Sequence, residues 1–122
     1  MKLGQQVQFS KYYKGVHTWN PGDAYMVKLS GVETDQNTFQ IIRYEETECE
    51  PVIGIVTGYK RVSISSRYKI SRYKTKEEDM GYWEEVERER ADYLDTQKEF
   101  VYEVKTTLKT KYYVRKDWLG VI

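Results

Sequence analysis

The run from Val52 to Ser65, VIGIVTGYKRVSIS, constrains this chain more than any other segment. β-Branched side chains recur along it. They lose rotamer freedom in a helix and pack well on a pleated surface, so the run predicts a strand. It is long for a strand and carries Gly54 and Gly58, four residues apart. Interior glycines in a strand mark a bend, a bulge or a close approach of backbone. A long bent strand is the device by which a small sheet curls on itself.

The rest of the chain agrees with a mainly β fold. Val7 and Phe9 alternate with Gln6, Gln8 and Ser10, a period-two pattern over Gln5 to Tyr13. Asn20-Pro21-Gly22-Asp23 is a strong turn signal. Ala24 to Ser30 reads as a second strand, with Tyr25, Val27 and Leu29 on one face, and Thr38 to Tyr44 as a third. Phe100 to Thr107 and Thr110 to Arg115 read as a strand pair, and a last short strand closes the chain. The expected fold is a small curled antiparallel sheet or an SH3-like barrel of five to seven strands. At 122 residues it fits a single domain. Twelve tyrosines, three tryptophans and three phenylalanines imply a core built largely from rings, with many hydroxyls at its boundary.

One segment reads two ways. Tyr82 to Leu94, YWEEVERERADYL, has helix-forming composition and would place Trp83, Val86, Arg90 and Leu94 on one helical face. It also reads as the returning arm of a hairpin whose first arm is Arg67 to Lys74. The composition favours the helix. The pentapeptide Ser66-Arg67-Tyr68-Lys69-Ile70 recurs as Ser71-Arg72-Tyr73-Lys74-Thr75. On a regular strand an offset of five sends Tyr68 and Tyr73 to opposite faces.

Charge is segregated. Lys60 to Lys76 holds seven basic residues (Lys60, Arg61, Arg67, Lys69, Arg72, Lys74, Lys76) and no acid. Glu77 to Glu103 holds eleven acids against three basic residues, and Lys105 to Lys116 returns five basic residues. Either the blocks pack against each other, within the chain or across an oligomer interface, or the basic block forms a binding face. In the second case Arg61, Arg67, Arg72 and Arg115 supply positive charge, and Tyr59, Tyr68, Tyr73 and Tyr113 supply stacking surfaces. That combination grips phosphate and base together.

The residues for catalysis are not assembled in the sequence. His17 is the only histidine, which excludes metal sites that need several imidazoles. Cys49 lies between Glu48 and Glu50, whose charges disfavour a thiolate. The run Gly54 to Lys60 lacks the spacing of a phosphate loop. No catalytic set, metal or cofactor is expected. The N-terminus has no signal-peptide pattern, and no stretch is long and apolar enough to span a bilayer. With a single cysteine, the expected compartment is the cytoplasm. The net charge of +1 argues against a dedicated duplex-DNA binder.

The segment Gly54-Ile-Val-Thr-Gly58-Tyr-Lys-Arg61-Val resembles a Gly-x-Val-Val-Gly-Lys-Arg strand of small phage-encoded SH3-like β-barrel proteins. Among these, the Thoeris anti-defence sponge family sequesters cyclic ADP-ribose-type signals without cutting them. The likeness covers nine residues, Gly54 to Val62, and carries over no binding residue. It implies a phage accessory protein in the host cytoplasm. Three functions are therefore in view. The first is binding of a phosphate-bearing nucleotide-type ligand, with Arg61, Arg67 and Arg72 for phosphates and Trp19, Tyr68, Tyr73, Trp83 and Trp118 for stacking. The second is a protein-interaction module or an inhibitor that engages a host protein through its acidic face. The third is single-stranded nucleic-acid binding through the basic block. Complementary charge blocks and a Tyr-rich surface also make a homo-oligomer, a dimer or larger, the expected state.

Overall fold

The computed structural model describes residues 1–16 and 23–122. His17 and Trp19, and the turn residues Asn20 to Gly22, lie outside the described residues. Among the described residues the chain is mainly β, with seven strands in one antiparallel sheet and one α-helix. The strands are β1 (Gln6–Gly15), β2 (Val32–Asp35), β3 (Thr38–Ile42), β4 (Tyr44–Asp79), β5 (Tyr82–Lys105), β6 (Lys111–Val114) and β7 (Gly120–Val121). Helix α1 spans Ala24–Ser30, and a 3-10 turn spans Lys116–Trp118. Their order in the sheet is β2-β3-β4-β5-β6-β1-β7, with a further β4–β1 pairing. Among the described residues, no helix is long and apolar enough to cross a membrane.

The chain divides into two compact units, and both long strands contribute to each. The first holds the N-terminal segment, Ile42–Ser65 and Gln97–Ile122. In it, β1 pairs antiparallel with the start of β4 from Gln6↔Ile55 to Gly15↔Tyr44, with an irregularity between Phe9 and Lys11. β6 pairs with β5 through Tyr102↔Val114 to Lys105↔Lys111, and with β1 through Tyr13↔Tyr113. Since β4 also neighbours β5, the pairings β1–β4–β5–β6–β1 close a ring, which is what removes the free edges of a barrel. Val7, Phe9, Val56, Val104 and Val114 fill one end of it, and Tyr13, Val62 and Val101 the other.

Of the readings of the two glycines, close approach holds at one of them. A Cβ on Gly54 would lie 2.6 Å from Val104 Cγ1 and 2.8 Å from the Lys105 carbonyl oxygen, so β4 and β5 approach there at a distance only glycine permits. At Gly58 the nearest atom to such a Cβ is Glu103 Oε2 at 3.9 Å, ordinary contact.

The second unit holds Trp19–Ile41 and Ser66–Thr96. Here Ala24, Val27, Ile41 and Ile70 form the core, flanked by Phe39, Tyr68 and Ala91. Two expectations are corrected in this unit. Ala24 to Ser30 is a helix, not a strand. Asp23 caps it by accepting a hydrogen bond from the Met26 amide at 2.9 Å, and the buried pair Ala24 and Val27 follows the helical i, i+3 spacing. A seven-residue apolar–polar mixture satisfies both periodicities, and the cap decides.

Residues 82–94 are strand, not helix: the arm begins at Tyr82 and runs unbroken to Lys105. The reason lies at the turn. Met80 (φ 51°) and Gly81 (φ 86°) both occupy the left-handed region, as the two-residue turn favoured by hairpin twist requires. The arm is then held by β4 across from it, which overrides its helical composition. Met80 is 92% exposed and contributes conformation rather than packing. Met80→Asn is therefore expected to stabilise the hairpin by about 0.5–1 kcal/mol, and Gly81→Ala to destabilise it by about 1 kcal/mol or more. Urea unfolding midpoints of the two variants check both signs.

Candidate functional site

The two charge blocks meet across the hairpin. Arg67 donates to Asp95 through Nε at 2.8 Å and also through Nη2. Arg72 faces Glu87 and Glu89, and Lys74 lies 3.3 Å from Glu85. Lys28 of α1 adds a second cation to Glu89, and Arg88 pairs with Glu77 within the acidic stretch. Among the described residues, seven of the eleven acids from Glu77 to Glu103 have a cationic partner: Glu77, Glu85, Glu87, Glu89, Asp92, Asp95 and Glu103. The guanidinium of Arg88 holds the Glu77 carboxyl below its usual range, the Lys28 ammonium does so for Glu89, and Arg67 does so for Asp95.

A carboxylate with a depressed folded-state pKa stabilises the fold above its unfolded value, and that contribution disappears as pH falls through the folded value. The hairpin of the second unit is therefore expected to loosen as pH drops below the ordinary carboxylate range, 4.5 for Glu and 3.8 for Asp. Amide exchange of residues 67–95 at pH 3 against pH 6 checks this. High salt at pH 6 should mimic the change in part, because the pairs are exposed and screened.

This pairing sorts the arginines singled out from the sequence. Arg67 and Arg72 are engaged with carboxylates, whereas Arg61 has no ion-pair partner among the described residues. Tyr68 packs in the second unit's core cluster with its ring 5.8 Å from that of Tyr93, while Tyr73 is exposed, so the repeat does send the two tyrosines to different environments. Trp83 is 69% exposed beside the hairpin turn. Trp118 is half-buried, its ring 4.8 Å from Tyr13, with Lys11 Nζ at 5.3 Å and Arg115 at 5.4 Å. Those cations and the tyrosine already occupy its surroundings. Burial pushes the Cys49 thiol up, with Glu50 adding to the effect, which makes it a weak nucleophile.

What gathers around Arg61 is confined to the first unit. A shallow groove of about 430 Å³ is lined by Gly15, Arg43, Tyr44, Lys60, Arg61, Val62 and Ser63. It forms where the end of β1 meets β4: the Val16 amide donates to the Arg43 carbonyl at 2.8 Å, and the Arg43 amide to the Ile64 carbonyl at 2.7 Å. Arg43, Lys60 and Arg61 thus line one concavity, and among the described residues no carboxylate lines it. Lys60 Nζ sits 4.3 Å above the Tyr113 ring, and the Tyr113 hydroxyl holds its pKa above the ordinary lysine value, so it carries a full charge at neutral pH. Tyr44 meets Tyr113 edge-on at 6.1 Å, extending the aromatic wall.

Next to the groove the alternation of β4 loosens. Ile53, Ile55 and Thr57 point outward between Gly54 and Val56, which are buried, but Tyr59, Lys60 and Arg61 are all exposed before Val62 returns to the core. Tyr59 is 62% exposed, and its ring lies 5.3 Å from that of Phe100 at an interplanar angle of 32°; Tyr102 closes the cluster at 6.1–6.4 Å. Arg61 thus lines the groove and follows the exposed Tyr59 by two residues on β4.

Arg43, Tyr44 and Phe100 were not legible as site residues. Arg43 is an isolated arginine between two strands, and Phe100 reaches Tyr59 only through the β4–β5 pairing. Tyr59 and Arg61, two apart on the best-defined strand, were the available signal. Compared with known protein families, curated proteins and solved structures, the chain matches none.

Proposed function

We propose that this chain is a non-enzymatic binder of a phosphate-bearing, nucleotide-type ligand. Phosphate oxygens would sit in the groove of Arg43, Lys60 and Arg61, and the base would stack on the Tyr59–Phe100 pair. The observation that carries this reading is Arg61, a guanidinium without a carboxylate partner among the described residues, lining a groove with Arg43 and Lys60 and standing two residues after Tyr59, whose exposed ring pairs with Phe100. A guanidinium offers the planar, bidentate donors that phosphate takes. Ring faces accept any base at about 1–3 kcal/mol each. A size of about 430 Å³ falls within the range of small-molecule sites. With the resemblance of Gly54 to Val62 to a signal-sequestering strand, the reading extends to holding a nucleotide signal without converting it.

The test is calorimetric titration of the full chain with a panel of mono-, di- and cyclic nucleotides, for wild type and Arg61→Glu, followed by mass spectrometry of the recovered ligand. Binding that weakens at least about 30-fold in Arg61→Glu, fades with added salt and returns the ligand at unchanged mass is the expected result. Heats that are absent across the panel at millimolar concentration, or unaffected by Arg61→Glu, would sink the reading. A recovered ligand of altered mass would convert it into an enzyme. Affinity that appears only with oligonucleotides and grows with their length would move the groove to single-stranded nucleic acid.

A further inference from the structure

The outward stripe of β4 reaches a second concavity in the first unit, before Thr57 rather than after it. It measures about 290 Å³, its wall is mainly hydrocarbon, and Ile53, Ile55, Thr57, Lys105, Thr106 and Thr107 line it. Ile53 and Ile55 are 52% and 48% exposed, two branched side chains held side by side on a strand whose backbone is paired with β1. Lys105, the last residue of β5, is the one charged residue among the described residues that line it. Its register partner is Lys111, whose ammonium is 2.6 Å from Glu103. Lys105 itself has no ion-pair partner among the described residues. The turn beyond it is fixed by its own backbone: the Thr106 amide donates to the Thr110 carbonyl at 3.1 Å and the Lys109 amide to the Thr106 carbonyl at 3.0 Å. The hydroxyls of Thr106 and Thr107 have no hydrogen-bond partner among the described residues.

A concavity with a mainly hydrocarbon wall, lined by one lysine and by Thr106 and Thr107, matches an amphiphile with a single monoanionic head. We infer that this concavity is a binding site for a medium-chain carboxylate, with the tail across Ile53 and Ile55 and the head at Lys105, Thr106 and Thr107. One lysine suits one negative charge, whereas a phosphate dianion calls for the denser cationic groove around Arg61. The volume limits the occupant to a small ligand. The site shares no lining residue with the nucleotide groove and does not depend on it.

Decanoate, kept below its micellar concentration, is titrated into the ¹⁵N-labelled full chain while amide shifts are followed. Saturable shifts confined to Ile53–Thr57 and Lys105–Thr107, with a Kd below about 1 mM, are the expected result. Lys105→Gln should weaken binding about fivefold and Ile55→Ser at least about tenfold. Both positions are exposed, and Lys105→Gln alone decides the matter if Ile55→Ser perturbs the fold. The proposal fails if the shifts do not saturate or spread over the chain, or if Lys105→Gln binds equally well. It also fails if decyltrimethylammonium binds as tightly. Shifts at these amides that follow protein concentration without decanoate would overturn it in favour of a second copy as the occupant.

Discussion

Gly54→Ala is expected to cost about 3 kcal/mol or more and to lower Tm by roughly 10 °C or more. The added methyl carbon would sit 2.6 Å from Val104 Cγ1 and 2.8 Å from the Lys105 carbonyl oxygen. Val104 is fully buried among Val7, Phe9, Val56 and Val114, so its side chain has no free direction in which to move. The carbonyl belongs to the β5 backbone where that strand pairs with β6, and moving it would disturb the ring of pairings that closes the barrel. Gly58→Ala is the internal comparison. There the nearest atom is 3.9 Å away, at the end of a flexible glutamate, and φ lies outside the left-handed region. It should change stability by less than about 1 kcal/mol and have either sign. Thermal and urea unfolding of both variants measure the contrast. Equal costs at the two positions would mean that glycine serves flexibility in this strand, not close approach.

Ile41→Ala is expected to have an effect of similar size in the second unit, about 3 kcal/mol. Ile41 is 1% exposed, and among the described residues Ala24, Val27 and Ile70 are the buried apolar residues that cluster with it. Two of those partners lie on the seven-residue helix α1, which is too short to persist in water by itself. Its stability comes from the Asp23 cap and from packing on Ile41. The variant should therefore lose amide protection first over residues 24–41, before protection falls at Val7, Val56 and Val104. Native-state hydrogen exchange separates these groups. Simultaneous loss in both sets of amides would show that the two units unfold as one.

The fold class could be read directly because β-branched runs and period-two alternation are local properties. Val7 and Phe9 take the face that their alternation with Gln6, Gln8 and Ser10 predicts. The two misassigned elements, 24–30 and 82–94, were decided by features outside the pattern. In the first, the Asp23 carboxylate supplies an acceptor for a helical amide that a strand would leave to its neighbour. In the second, a two-residue turn at positive φ brings β5 back along β4, and sheet pairing then outweighs the helical preference of Glu and Arg.

Charge shows the same division. The separation into basic and acidic blocks is a property of the sequence, and so is the complementarity it implies. Which member of the basic block stays unpaired is not. Arg61, Arg67 and Arg72 are equivalent as letters, yet Arg67 and Arg72 lie opposite Asp95, Glu87 and Glu89 while Arg61 lines a groove with Arg43 and Lys60. The sequence alone determined that this chain is mainly β, with a long β-branched strand in one antiparallel sheet, and carries opposite charges in separate blocks. Tertiary structure alone decided which charges cancel and which ring, Phe100, stands beside Tyr59. Strand periodicity is written residue by residue, but the partner across a strand depends on turn geometry many residues away.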